Sequence, residues 1–302
     1  MHTDPDEPKT DPSLSSNTAD QYELLDSGDG EKLERYGSKL IRRPSSLCIW
    51  RPHQTNLWSS ADATYHPDNG WLFRGPSFST WNISCHGLDL QLQLQRNGQI
   101  GLFPEHLTTL NFLEDYFQKL PRTKLRVLNL FAFTGLASIF CAQRNAVVCH
   151  VDISKQALDW ASKNLELNSI PREQVRLIAD DAIKFLEREV KRGNRYDIVI
   201  ADPPTFSRVA KGKSWDLDQI VTPLLRDCLA VLEPTHGALL FSSHHHALPP
   251  EVVNNVIADY RPDTSGGVEG AYFSLMETET GRQIPAGSLT AYTTGEFRGE
   301  ES

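Results

Sequence analysis

From Leu107 onward the apolar positions of this chain switch between two rhythms. Short unbroken runs of aliphatic residues alternate with longer stretches in which apolar residues return every three or four positions. The runs predict strands at 125–130, 146–151, 175–179, 196–201 and 237–242. The longer period predicts helices near 107–119, 135–144, 154–167, 181–191, 217–232 and 249–259. Strands and helices that alternate at this spacing imply a parallel sheet covered on both faces. A last stretch, 270–294, holds Ala271-Tyr272-Phe273-Ser274-Leu275 and Ser288-Leu289-Thr290-Ala291-Tyr292, and predicts an antiparallel edge hairpin.

Between 21 and 106 the pattern is one of short strands and turns. Leu88 to Gln95 alternates apolar and polar residues with period two, as a half-buried strand does. Arg96-Asn97-Gly98-Gln99 predicts a tight turn, and Ile100-Gly101-Leu102-Phe103 the return strand. Trp50, Trp58, Trp71 and Trp81 fall in the same stretch and read as its core, with base stacking by one of them as the alternative. Residues 1–20 are rich in Asp, Pro, Ser and Thr and predict a disordered tail. The expected organisation is a disordered acidic tail (1–20), a small β-rich module (21–106), a catalytic domain (107–295) and a flexible C-terminus (296–302). The fold class is α/β: a Rossmann-like, doubly wound, mostly parallel sheet with a small β-rich N-terminal module.

Charge and cysteine content add two constraints. The net charge of −9 is concentrated in residues 1–31, which carry −8 and leave the remainder near −1. Any contact with phosphates must then come from local basic patches, such as Arg208, Lys211 and Lys213. Five scattered cysteines without a Cys-x-x-Cys pair argue against zinc and disulfides, and for a reducing cytoplasm. No apolar run approaches the roughly 18 residues of a membrane span. The triplet His244-His245-His246 cannot aim all three rings at one ion, and no other ligand set is visible, so no metal is expected. Substrate contact or a surface loop are the remaining readings of that triplet.

The chemistry lies between 127 and 207. The first strand of the alternating region delivers Phe131-Ala132-Phe133-Thr134-Gly135 to the carboxyl edge of the sheet, where open α/β sheets bind ligands. The pyrophosphate fingerprint Gly-x-Gly-x-x-Gly is missing, which counts against NAD and FAD. Asp152 ends the second strand, where a carboxylate can accept both hydroxyls of a ribose; helix capping is the alternative. Asp180-Asp181 follows the third strand, where one carboxylate can accept from an adenine amino group and the other cap the next helix. Asp202-Pro203-Pro204 follows the fourth, and its two prolines make a stiff wall of carbonyl acceptors beside the acid. Together these features predict a nucleoside pocket and methyl transfer from S-adenosylmethionine, a reaction that depends mainly on positioning and exclusion of water.

With Phe241-Ser242-Ser243, this segment resembles the class I S-adenosylmethionine-dependent methyltransferases. More narrowly it resembles the bacterial large-subunit (23S) ribosomal RNA enzymes that modify cytosine C5 or guanine N7. The matching residues are 128–135, Val151-Asp152-Ile153-Ser154, Asn164 to Asn168 and Asp202 to Ser207, with Gly101-Leu102-Phe103-Pro104-Glu105 just before the domain. The resemblance implies that Asn129, Phe131, Thr134 and Gly135 line the methionine side of the cofactor, Asp152 the ribose and Asp181 the adenine. Asp202, Pro203 and Pro204 would stand beside the reacting methyl. Cytosine-C5 enzymes need a cysteine nucleophile; the corresponding position here is Ser243, which points away from a covalent intermediate and towards a nitrogen acceptor such as guanine N7. Ribosomal RNA is the implied partner. The alternatives are a small-molecule or protein acceptor, or a non-catalytic RNA-binding relative; the oligomeric state is left open.

Overall fold

Alternating apolar residues of four short strands split the interior into two layers. Val127, Val148, Ile198, Ile200 and Leu240 face one layer; Leu128, Leu130, Val199, Ala201, Leu239 and Phe241 face the other. Successive side chains of a strand point to opposite faces, so each strand fills both layers at once. The computed structural model describes residues 21–120, 124–208, 214–261 and 267–295; the expected tail at 1–20 and C-terminus at 296–302 lie outside them.

The first part holds β1 (Tyr22–Gly28), β2 (Glu31–Tyr36), β3 (Lys39–Pro44), the short helix α1 (Thr55–Trp58), β4 (Ala63–His66) and β5 (Gly70–Phe73). These five strands form one sheet in sequence order. A separate hairpin follows, β6 (Thr80–Cys85) and β7 (Leu88–Gln93). Trp50, Trp58, Trp71 and Trp81 are half-buried, and each indole N–H is donated inside the protein, to Ser27, Asp26, Gln95 and Tyr36 respectively. They pack and tie this region together, as a core reading requires.

After α2 (Leu107–Lys119) the chain alternates through β8 (Arg126–Leu130), α3 (Leu136–Gln143), β9 (Val147–Asp152), α4 (Lys155–Leu167), β10 (Val175–Ala179), α5 (Ala182–Arg192) and β11 (Ile198–Ala201). A small pair, β12 (Phe206–Arg208) and β13 (Ser214–Asp216), precedes α6 (Leu217–Ala230), β14 (Ala238–Ser243), α7 (Pro250–Tyr260), β15 (Val268–Met276) and β16 (Gln283–Thr293). The main sheet runs β10-β9-β8-β11-β14-β16-β15, parallel through β14 with the last two strands antiparallel. Strand order reverses between β8 and β11, which is the place where such sheets open a crevice. Among the described residues no helix is long and apolar enough to cross a membrane.

One expectation fails in the first part. The partner of β7 is the preceding β6, joined by a two-residue turn at His86-Gly87 with φ of +54° and +71°. Positive φ at both positions is the hairpin geometry that suits twisted strands. The Asn97-Gly98 turn does form, with Gln93 and Gln95 bonded to Ile100 and Gln99. Residues 100–103 then leave instead of returning as a strand, because Gly101 adopts a φ of +93°. The outer edge of β7 is covered by α4: Asn164 and Asn168 accept from the N–H groups of Gln91 and Asp89, and Trp160 donates to Gln91 O. A helix face thus satisfies a strand edge that would otherwise stay open.

The first sheet is also anchored to the far edge of the main one. Arg282 bridges Asp26 and Glu277, both essentially fully buried, and donates to Arg51 O.

Candidate active site

The turn after β8 is built from unusual backbone. Phe131, Phe133 and Gly135 have φ of +57°, +47° and +94°. Left-handed non-glycine residues cost roughly 1–2 kcal/mol each and persist only where surroundings hold them. Here Ala132 N donates to Val151 O and Phe133 N to Asp152 Oδ2, at 3.1 and 2.9 Å. Gly135 is needed for its φ rather than for space, since an added Cβ would meet nothing closer than 3.4 Å.

Each acid of the sheet edge is positioned by its own local turn. Asp152 closes β9 and accepts from Phe133 N and Ser154 N through different oxygens. It does not cap α4; Ser154 does, accepting from Ala157 N. Asp181 caps α5 through Oδ1, which accepts from Ile183 N and Lys184 N, while Asp180 pairs with Arg188. Asp202 follows β11, with Pro203 and Pro204 behind it.

These groups converge. A cavity of about 330 Å³ is lined by Asp152, Asp181, Asp202, Pro203 and Pro204, together with Phe131, Phe133, Glu105 and His244. A narrower recess of about 60 Å³ shares Phe131, Phe133 and Asp202 and adds Asn129, Thr134, Gly135, His106 and Ser242. All nine residues singled out from the sequence therefore border one or other of two adjoining cavities that share Phe103, Phe131, Phe133 and Asp202. The larger cavity falls in the usual range for small-molecule sites, about 300–1,000 Å³.

Little in the chain's pattern warned of what closes this space. After Gly101 the chain runs over it as a strap ending in a 3-10 turn, Pro104–His106. Thr134 donates its hydroxyl to Gly101 O at 2.7 Å, and Phe103 packs on Phe133 with ring centres 5.4 Å apart. A Cβ on Gly101 would sit 2.0 Å from the Trp160 ring, so only glycine allows this approach. Gly101 to Glu105 was noticeable as a motif, but nothing in it pointed to His106. Nor did the triplet 244–246 indicate that only its first member reaches the cavity.

His106 Nε2 lies 3.0 Å from Asp202 Oδ2, and His244 Nε2 lies 3.3 Å from Oδ1. Burial alone would raise the Asp202 carboxyl, but the neighbouring His106 and His244 hold it well below the usual carboxylate range. Burial would likewise lower His244; its contact with Asp202 and that residue's charge outweigh this and lift it to about 9. His106 is raised against its burial by the same carboxylate. In contrast, His150 beneath the turn is pushed by burial down to about 4. Its Nδ1 meets Ser138 Oγ, which accepts from Asn129 Nδ2, so the Asn129 amide is held by a buried polar chain.

Neither lining contains a cysteine. Ser243 is buried, and its Oγ accepts from His245 N. Of the basic loop expected beyond the double proline, Lys211 and Lys213 lie outside the described residues. Acids at the carboxyl ends of β9, β10 and β11, aromatic walls and a closing strap suit a cationic nucleoside held away from bulk water.

Comparison with known proteins agrees with this chemistry. Residues 41–265 match the family described as S-adenosylmethionine-dependent methyltransferase. The crystal structure of a SAM-dependent methyltransferase from Agrobacterium tumefaciens superposes with a TM-score of 0.86 at 32% identity, covering 93% of this chain and 92% of that one. Ribosomal RNA large subunit methyltransferase K/L of Methylococcus capsulatus is 37% identical over 146 residues, 48% of this chain and 19% of its own length. The protein of the same name from Pseudoalteromonas translucida is 36% identical over equal shares. The match spans about a fifth of the length of these curated relatives.

Proposed function

The chain belongs to the S-adenosylmethionine-dependent methyltransferases, and on that premise we propose that its acceptor is a base of ribosomal RNA, methylated without a cysteine adduct. S-adenosylmethionine is its cofactor. In the proposed pose Asp152 takes the ribose hydroxyls, Asp181 the adenine amino group, and Asn129, Phe131, Thr134 and Gly135 the methionine end. Asp202 and the Pro203-Pro204 corner then face the sulfonium methyl and the incoming base. The cavity shared by the three carboxylates carries this reading. An activated methyl donor needs alignment more than covalent help, and rigid turns at a sheet edge supply it.

The absence of a thiol from both linings supports a nitrogen acceptor over cytosine C5. Burial pushes the thiols of Cys141 and Cys149 up to about 12 and 11, away from the reactive thiolate form. The names of the matched relatives support ribosomal RNA as acceptor. A small-molecule or protein acceptor is the second reading, favoured by the near-neutral charge of residues 32–302 and the acidic stretch before them.

Labelled methyl transfer to total RNA at low and high salt separates the two, because RNA contacts weaken with salt. Salt-sensitive labelling of ribosomal RNA, retained in Ser243→Ala, is expected. An RNA adduct trapped in the wild type and lost in Ser243→Ala would overturn the non-covalent route. No labelling of RNA at any salt would overturn the acceptor.

A further inference from the structure

Three parts of the chain that are distant in sequence meet beside the double-proline corner. His106 comes from the end of the strap, Asp202 from the end of β11 and His244 from the end of β14, and one donor atom from each lies within 4.8 Å of the others. Each histidine nitrogen lies against a different oxygen of Asp202, 3.0 Å from Oδ2 for His106 and 3.3 Å from Oδ1 for His244, separations that ion pairs and neighbouring donors of one cation share. Donors bound at about 2.1 Å stand roughly 3.0–3.4 Å apart in octahedral or tetrahedral arrangements.

The hydrogen bonding is incomplete where a cation would complete it. His106 Nε2 and Asp202 Oδ1 are buried, and apart from the His–Asp contacts themselves neither has a hydrogen-bond partner. Folded proteins rarely leave such atoms unpaired unless an ion or water sits there. His244 is oriented independently of Asp202: its Nδ1 donates to Ala286 O at 2.8 Å, so Nε2 is the nitrogen aimed at the carboxylate, where a bound cation would take the place of its proton. Histidines that bind metals are almost always tied through the other nitrogen in this way. Gly287 makes room for that ring, since a Cβ there would lie 2.9 Å from His244 Nδ1. His106 is gripped edge-on by Phe103 and Phe273, with ring centres 6.3 and 5.4 Å away, which fixes its plane without engaging Nε2.

We propose that His106, Asp202 and His244 form a binding site for a divalent transition-metal cation where the two cavities join. Two imidazole nitrogens among three donors favour iron, cobalt, nickel or zinc over magnesium or calcium. Three protein donors leave coordination positions open. Asp202 and His244 border the larger cavity and His106 the recess, so the open positions face the space shared by cofactor and acceptor, where a water or acceptor oxygen would fill them. The site was invisible in the sequence because the histidine triplet supplies one ligand rather than three. It stands whether or not the acceptor is RNA.

Tag-free full-length protein, stripped with chelator and dialysed, is titrated with cobalt(II) and followed by visible absorption and calorimetry. One-to-one binding with a ligand-field band is expected, and magnesium at the same concentration gives no heat. His106→Gln and His244→Gln should each weaken cobalt binding more than about 100-fold, because residues that merely orient ligands already cost 10–100-fold. A His245→Gln/His246→Gln variant should bind as the wild type does, and circular dichroism melts check that each variant folds. Failure of the wild type to bind cobalt overturns the proposal and leaves a plain ion-pair cluster, whatever the variants do. Binding that survives loss of both His106 and His244 in a folded protein overturns it as well.

Discussion

Replacing Asp152 by alanine removes the carboxylate at the end of β9 and tests the cofactor geometry directly. Its two oxygens each accept one backbone N–H, from Phe133 at 2.9 Å and Ser154 at 2.8 Å. A carboxylate offers about four acceptor sites, so two remain for the vicinal hydroxyls of a ribose. Charge-assisted bonds contribute about 1.5–3 kcal/mol, which corresponds to roughly 10- to 150-fold in affinity. Isothermal titration with S-adenosylhomocysteine should show a loss of that size, accompanied by a small fall in melting temperature. A ligand lacking a ribose hydroxyl makes the test specific. It should bind the wild type more weakly than its parent, whereas Asp152→Ala should no longer distinguish the two. An affinity within about twofold of wild type, or full discrimination retained in the mutant, would refute the ribose assignment.

Gly101→Ala should disrupt the strap, since the new methyl would sit 2.0 Å from the Trp160 ring and in a left-handed backbone. A lower melting temperature together with weaker cofactor binding is expected; normal values for both would show that the strap tolerates the change. Arg282→Met should cost near the low end of the 3–5 kcal/mol typical of a broken buried ion pair. Arg282 keeps 29% exposure and Asp26 retains donors from His53, Gln54 and Trp58, and urea denaturation measures the difference. His150 titrates near 4 in the fold against about 6.5 when unfolded. Above pH 6.5 both states are neutral; below it the unfolded chain binds the proton first, so stability falls by up to about 3 kcal/mol between pH 6.5 and 4. The same melts on His150→Gln should show a shallower slope in that window, and an unchanged slope would contradict the buried neutral ring.

The alternation of apolar runs and helical periods determined the main sheet, because a strand buried on both faces must be apolar throughout. It located β8 to β11 and β14 to within two residues and placed the acids Asp152, Asp181 and Asp202 at their carboxyl ends. Those residues were legible because each is local to a strand it follows. The partner of β7 was not: Asn97-Gly98 advertises a turn as clearly as His86-Gly87 forms one, and only the φ of Gly101 decides where the chain goes next. Asn164 and Asn168 could not be recognised as cover for a strand edge, since their partners lie in a hairpin far upstream. His106 was the largest omission. A single histidine after Gly101-Leu102-Phe103-Pro104-Glu105 carries no periodic or spacing signal, and its meeting with Asp202 and His244 exists only once the strap folds back across the sheet edge. Chain pattern fixes what is repeated along the backbone; contacts between residues remote in sequence depend on packing, and tertiary structure alone decides them.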